Sequence, residues 1–433
     1  MKKFTIVLLL LQGLLMSAEI KHIEVKGVKV PIVYEYSNYI PTVYMRFIFT
    51  DSGSLNDTQR GLSKFAASLL NDGTKKDGSV GFATKMDNEA ISIEAYSGYE
   101  IFSIEVDSLK EKFEKSINLL SELLNDPNYT KESLDKIKQQ KVANIVRKES
   151  DFGYIATKRL KEILFKDTPL ENATTDTKES IEKTSINDIK KFLNSTMGYN
   201  NLIVVVGGDI SFEESQEYIN QIIKPLPKVS KTKIDMIEAR DVKEVVVIRE
   251  ETKQAHLHFG APFNLKYSDS NIYMAKVASH ILGGSGFGSR IVEEIRVKRG
   301  LAYSVATYLF NHKFSNYFRG YLQTKLESIN EAKEVIQEVV DNFVINGVTK
   351  EELESAKKFI LGSEPLKNET LSQRLNSDYI NFLLNRDINY NKQELKNIEA
   401  LTLKELNDFI KSHKEIRDIS FVMVVAEDTN ITK

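Results

Sequence analysis

The chain contains no cysteine and no tryptophan. Without cysteine, thiol catalysis, disulfide bracing and cysteine-held zinc are all excluded. An excess of either charge is missing too. Lysine and arginine total 59 against 61 acidic residues, a net charge of −2, and the isoelectric point is near 6.4. That balance lacks the basic footprint of a nucleic-acid binder, so no nucleic-acid partner is expected. Beyond the N-terminal segment no apolar run is long enough to span a bilayer.

What is present is ample core-forming material. Hydrophobic residues make up 41% of 433 positions. At roughly 150 residues per domain, two to three domains are expected. Residues 1–18 read as a secretory leader: Lys2 and Lys3 precede an apolar stretch from Thr5 to Leu15, and Ser17 and Ala18 are small residues at a cleavage point. Removal of residues 1–18 would export the mature chain, into a periplasm. An uncleaved anchor is the other reading. No cysteine follows, which excludes a lipoprotein.

Strands are expected at Ile23–Val25, Val28–Tyr34 and Val43–Thr50, followed by a turn at Asp51–Gly53. Leu62, Phe65, Ala66, Leu69 and Leu70 then recur at helical spacing, and Asn71-Asp72-Gly73 ends that helix. Asn88 to Val106 alternates polar and apolar and predicts a hairpin turning at Ser97-Gly98. Helices are expected at Leu109–Leu124 and Lys131–Lys148, separated by Asp126-Pro127, and again at Ile186–Ser195 and Phe212–Ile222. Asn201–Gly208 is a short apolar run bounded by glycine, the pattern of a buried central strand.

Pro225 to Val242 lacks a period and reads as a linker between domains at 19–224 and 243–433. The second half echoes the first. Phe65–Gly73 resembles Val277–Gly284 at an offset of 212, and Thr130–Leu134 resembles Thr349–Leu353 at an offset of 219. Antiparallel-looking strand pairs interleaved with helices predict an α+β fold built by duplication, not a doubly wound sheet.

The most organised stretch is Leu282 to Val305. Gly283, Gly284, Gly286 and Gly288 make a flexible loop; Ile291, Glu294, Ile295 and Lys298 fall at helical spacing; Gly300 can cap that helix. A strand-rich segment follows. Arg296 near the helix end and Tyr303 beyond the stop can converge. Read singly, the first is a solvated charge that suits the helix dipole and the second a half-buried strand aromatic. Ser289 and Ser304 lack a positioned histidine–aspartate pair and are not nucleophiles. Gly207-Gly208-Asp209 is followed by no Lys-Ser/Thr, which excludes a P-loop. The Gly284–Gly288 glycines follow a helix, not a strand, which disfavours a dinucleotide site. His256 and His258, two apart on a strand, face one way and could chelate a metal, but nothing nearby in sequence completes a site. The ordinary reading is a polar strand face.

Gly283, Gly284, Ser289, Arg290, Glu294, Arg296, Gly300, Leu301, Tyr303 and Ser304 together resemble the second-half signature of the M16 zinc peptidases, the pitrilysin and mitochondrial processing peptidase group. The resemblance implies two homologous α/β sandwich domains, with antiparallel-rich sheets carrying helices, that form half of a clamshell. It implies that Arg296 and Tyr303 face a catalytic chamber and hold the substrate backbone and the developing oxyanion. It also implies that Ile91, Ser92, Ile93, Glu94 and Ala95 form an edge that pairs with extended substrate.

The family's first-half zinc motif, H-x-x-E-H, is erased. Aligned on Gly61, Phe65, Gly73 and Thr74, its positions are Lys64, Ala67 and Ser68, and the third ligand position is Asn144. A protonated lysine has no lone pair for zinc, and a hydroxyl and an amide are poor substitutes. Ala67 cannot serve as general base. The resemblance therefore implies a chain that holds no metal and supplies the Arg–Tyr pair. A partner homologue with an intact H-x-x-E-H would bring the zinc, and the substrates would be peptides or unfolded chains. The alternatives are an inactive scaffold or peptide-binding protein and, third, a metallopeptidase with a displaced site. A homodimer is a further possible assembly.

Overall fold

The computed structural model describes residues 18–173, 176–284 and 288–432. The expected leader up to residue 17 and Gly286 of the glycine loop lie outside the described residues.

Two sheets carry the molecule. The first contains β1 (Glu19–Val25), β2 (Val28–Tyr36), β3 (Thr42–Thr50), β4 (Ser92–Ser97), β5 (Ile101–Leu109) and β6 (Leu202–Gly208), in the order β1-β2-β6-β3-β5-β4. The second contains β7 (Val245–Arg249), β8 (Ala255–Pro262), β9 (Ala302–Asn311), β10 (Asn316–Thr324) and β11 (Ser420–Val425), in the order β7-β11-β8-β10-β9. Without β1 the two orders coincide. Each sheet has one parallel pair, β2 with β6 and β7 with β11, among antiparallel neighbours. This is the duplicated α+β fold that the repeated sequence implies.

The helices of the first half are α1 (Leu62–Leu70), α2 (Gly78–Asp87), α3 (Phe113–Asn125), α4 (Lys131–Glu149), α5 (Phe152–Leu164), α6 (Pro169–Asn172), α7 (Lys178–Lys183), α8 (Ile186–Thr196) and α9 (Phe212–Ile223). Those of the second half are α10 (Ile272–Ser279), α11 (Arg290–Val292), α12 (Ile329–Asn346), α13 (Lys350–Lys367), α14 (Leu371–Leu383), α15 (Tyr390–Ala400) and α16 (Leu403–Ser412). The repeated Thr-Lys-Glu segments are helix starts. Thr130 caps α4 by accepting from the Ser133 amide, and Thr349 caps α13 by accepting from the Glu352 amide, each at 3.2 Å. No described helix is long and apolar enough to cross a membrane.

Each half has its own core, yet each also lends a helix to the other. Ala156, Leu160, Ile163 and Leu164 of α5 cluster with Val422 and Val424 of β11 in the second sheet. Reciprocally, Leu375 and Tyr379 of α14 cluster with Val33, Ile48, Ile203 and Val205 of the first sheet. Both faces of β6 and β11 are thereby covered. Every residue of each is buried, which is why both read as continuous apolar runs instead of alternating strands. The exchange carries an ion pair, buried at its carboxylate and half-buried at its guanidinium: Arg374 of α14 donates to Oε1 of Glu35 on β2 at 2.6 and 2.9 Å.

Residues 224–244 form no regular element but are pinned to both halves. Ile237 donates to the Phe314 carbonyl at 2.7 Å, Arg240 to the Ile163 carbonyl at 3.0 Å, and Asn200 to the Val229 carbonyl at 2.8 Å.

Candidate functional site

Helix α1 has two faces. Leu62, Phe65, Ala66, Leu69 and Leu70 are buried in the first core. Lys64, Ala67, Ser68 and Asn71, at the i, i+3, i+4, i+7 spacing of the opposite stripe, line a cavity of about 360 Å³. Ala95, Tyr96 and Tyr99 close it from the side of β4 and the turn that follows. Three of the four positions expected to be a lost zinc site thus share one pocket with Ala95 of the expected substrate edge.

Its donors do not suit zinc. The Ser68 hydroxyl donates to the Lys64 carbonyl at 2.8 Å, Ala67 offers nothing, and Lys64 presents an ammonium. Among the described residues no group of three or more histidines or carboxylates could hold a metal. Asn144 lies apart: it is exposed on α4, does not line the cavity, and accepts from Arg147 at 2.7 Å. One turn earlier, Lys141 reaches α1. Its Nζ sits 4.6 Å from the Phe65 ring centroid and 3.7 Å from a carboxylate oxygen of Asp176.

Two lysines, Lys64 and Lys141, thus gather on and beside α1. Burial lowers the pKa of Lys64 and of Lys141; Asp176 opposes both shifts and Lys148 reinforces both, while Lys161 adds to that of Lys64 and Lys64 to that of Lys141. Asp57, which accepts from the Ser63 amide and hydroxyl at the start of α1, is pushed by burial to about 7. Asp176 also explains Gly61. That residue has φ +77°, and a Cβ there would lie 2.0 Å from the Asp176 carboxylate. Sequence reasoning missed Lys141 and Asp176, because neither falls on the motif register and their meeting is a long-range contact.

Strand β4 is an edge, pairing only with β5. Ser92 and Glu94 are exposed, whereas Ile91, Ile93 and Ala95 are buried. The edge is not bare. The Asn71 amide donates to the Ala95 carbonyl at 2.9 Å and accepts from the Ala95 N–H at 2.7 Å. Ala95 therefore directs its backbone groups away from β5, and by the two-residue period Ile93 and Ser97 do the same.

The second-half motif is shaped by irregular helix. α10 widens into a π-helical turn at His280–Gly284, and α11 into another at Glu293–Lys298. The Leu301 N–H reaches back six residues to the Ile295 carbonyl at 2.8 Å, past Gly300 at φ +62°. This reversal brings Tyr303, near the start of edge strand β9, under Arg296. The guanidinium carbon lies 4.6 Å from the Tyr303 ring centroid, a cation–π stack. Tyr303 is 83% exposed. Other motif residues brace the turn. Arg290 makes a bidentate pair with Glu352 and donates to the Gly347 carbonyl at 2.8 Å. Glu294 accepts from Lys298 and Arg299, which lowers its pKa.

His256 and His258 share a face of β8, turned toward α5. His256 packs edge-on to Phe152, centroids 5.5 Å apart; His258 stacks on Tyr321, and its Nδ1 lies 3.1 Å from the Thr157 hydroxyl. They belong to the packing between the halves.

Comparison with known proteins adds three kinds of match. The profile described as "Insulinase (Peptidase family M16)" matches residues 32–178, and "Peptidase M16 inactive domain" matches 183–360. A Helicobacter pylori protein named non-peptidase homolog YmxG is 42% identical over 427 residues, 98% of either chain. The beta subunit of the mitochondrial-processing peptidase of Saccharomyces cerevisiae is 23% identical over 188 residues, 42% of this chain and 40% of its own length. Among solved structures, a peptidase M16 inactive domain from Pseudomonas fluorescens superposes with a TM-score of 0.87 at 20% identity, covering 95% of this chain and 99% of its own. A protease from Helicobacter pylori does so with a TM-score of 0.79 at 15% identity, covering 94% and 99%. At these identities the two structures speak to the fold alone.

Proposed function

The chain belongs to the M16 peptidase family, and from that premise we propose that it is the non-zinc-binding subunit of an exported, two-chain M16 peptidase. It is an M16 homologue whose own metal positions carry lysine, alanine and serine. The observation that carries the reading is the contrast between its two halves. The first-half ligands are gone, while Arg296 and Tyr303 meet at 4.6 Å on a turn braced by Arg290 and Glu352.

In this reading a partner chain with an intact H-x-x-E-H closes against this one and brings zinc and base. Arg296 donates to the scissile carbonyl as it gains negative charge, and the Tyr303 hydroxyl bonds the same region. Tyr303 is open to solvent in the single chain, which suits a side chain waiting for substrate. The partner, the heterodimer and the export are parts of this proposal, as is pairing of peptide substrates along residues 91–95.

A second reading is a protein that holds peptides without cleaving them. The cavity of about 360 Å³ beside β4 favours it, because Lys64 there can meet an acidic group on a peptide lying along the edge.

Peptide hydrolysis, measured for this chain, for an exported H-x-x-E-H homologue and for their mixture, with zinc counted in each, decides between them. Silence and no zinc in this chain, with activity rising on mixing, is expected. Chelator-sensitive hydrolysis by this chain alone, or a mixture no faster than the homologue, would overturn the proposal. Peptide binding without any such rise would favour the second reading.

A further inference from the structure

Ala18 is a core residue. It is 2% exposed and clusters with Val33, Ile48 and Ile203 of the first sheet and with Leu375 and Tyr379 of α14. Its backbone nitrogen donates to Oδ2 of Asp378 at 3.3 Å. Asp378 lies one turn beyond Arg374 on the face of α14 that covers the first sheet, and it is 9% exposed.

The charges around this point do not balance. Glu35 is 3% exposed, and Arg374 is committed to its Oε1 and to the carbonyls of Asn368 and Glu369. Glu35 Oε2 is buried without a hydrogen-bond partner among the described residues. Two buried carboxylates thus face one guanidinium, while Lys392, which with Arg374 favours the charged form of Asp378, is exposed. Burial pushes the Asp378 carboxyl up to about 6, and the charge on Glu35 adds to the shift. A buried carboxylate needs a cation as well as a hydrogen bond.

We propose that the leader is cut between Ser17 and Ala18, and that the α-ammonium released on Ala18 is the cation that pairs with Asp378. The cut is a hydrolysis by a leader peptidase that accepts a small residue at Ser17. Water adds across the peptide bond; Ser17 leaves with the new carboxylate, and the amine kept by Ala18 takes up a proton. An ammonium has three donors where the amide had one, and it brings the missing positive charge. The pair ties the start of β1, in the first half, to α14, from the second. Processing then does more than release the chain, because it completes the joint between the halves. The cut lies one residue before the boundary that the sequence suggests.

Two measurements test this. The full chain is produced in an exporting bacterium, and the exported product is read by intact mass and N-terminal sequencing. A chain starting at Ala18 is expected; a start at Glu19, or a retained leader, overturns the proposal. Separately, the chain beginning at Ala18 with a free amine is melted beside one carrying an extra glycine before Ala18. Both are compared with their Asp378→Asn forms. The free-amine chain is expected to melt a few degrees higher, and Asp378→Asn to erase that gap. Equal melting of the two starting forms, or a gap that survives Asp378→Asn, overturns it. The sequencing result stands even where Asp378→Asn prevents folding.

Discussion

The side chain of Asn71 and the backbone of Ala95 exchange two hydrogen bonds, one of 2.9 Å and one of 2.7 Å. A primary amide here imitates the peptide group of a neighbouring strand. It fills the outward donor and acceptor in the middle of β4, where an extended ligand would pair. Asn71→Ala should therefore open the edge. The variant is expected to lose about 1–2 kcal/mol of stability, two modest hydrogen bonds, and to bind an extended peptide several-fold more tightly. Fluorescence anisotropy with a labelled peptide and a denaturant titration check both. Unchanged peptide binding would show that β4 is not the docking strand.

Arg296 and Tyr303 stack at the surface, with Tyr303 open to solvent. Removing the stack should cost about 0.5–1 kcal/mol, the usual worth of an exposed cation–π contact. Activity of the mixed two-chain peptidase should respond far more. Arg296→Ala is expected to lower its kcat by roughly 10²- to 10³-fold, the cost of losing one oxyanion donor. Arg296→Lys should restore only part, because an ammonium lacks the planar fork. Full activity in the Arg296→Ala, Tyr303→Phe double variant would remove the pair from the mechanism.

Burial lowers the pKa of His258 to about 4, and Arg319 and His256 add to the shift while Asp151 opposes it. The sign follows from which state binds the proton. Between pH 6.5 and 4 the unfolded chain takes up a proton that the folded site refuses. Stability that His258 leaves intact above pH 6.5 is lost as pH falls, by up to about 3 kcal/mol near pH 4. Asp57, Glu100 and Asp378 are shifted upward and act in the opposite sense. The measurable quantity is thus a difference. Stability of wild type minus that of His258→Gln should fall between pH 6.5 and 4; a flat difference would place His258 in contact with water.

Zinc should leave the melting temperature of this chain where it is, and so should a chelator. A metal site filled at a hundred times its Kd would add about 2.7 kcal/mol. The lysines, alanine and serine around α1 offer no such site. Scanning calorimetry with added zinc and after chelator dialysis checks this. A rise with zinc that the chelator reverses would mean that donors outside the α1 pocket hold a metal.

Much of the architecture follows from local pattern. The stripe of Leu62, Phe65, Ala66, Leu69 and Leu70 specifies a helix with one apolar face, whatever it packs against. The run from Leu202 to Gly208 has no polar side to show to water, so it must be a covered strand. The two Thr-Lys-Glu segments start α4 and α13 because a threonine hydroxyl needs only its own next turn. That Lys64, Ala67 and Ser68 are poor donors for zinc is equally legible, since that chemistry is independent of the fold.

What local pattern left open is who meets whom. Asn144, expected at the metal position, does not line the α1 pocket, whereas Lys141 sits over Phe65 of α1 and Asp176 comes to it from another segment. Arg296 and Tyr303 could have pointed apart; a π-helical turn and a left-handed glycine stack them. α5 and α14 each have an apolar face that would suit the sheet of their own half, yet both cross to the other. Glu35 finds Arg374 across 339 positions of chain. An amphipathic period states which side of an element must be covered and says nothing of the cover. That choice belongs to the chain's path in three dimensions, where burial of whole faces and the pairing of the few buried charges are settled together.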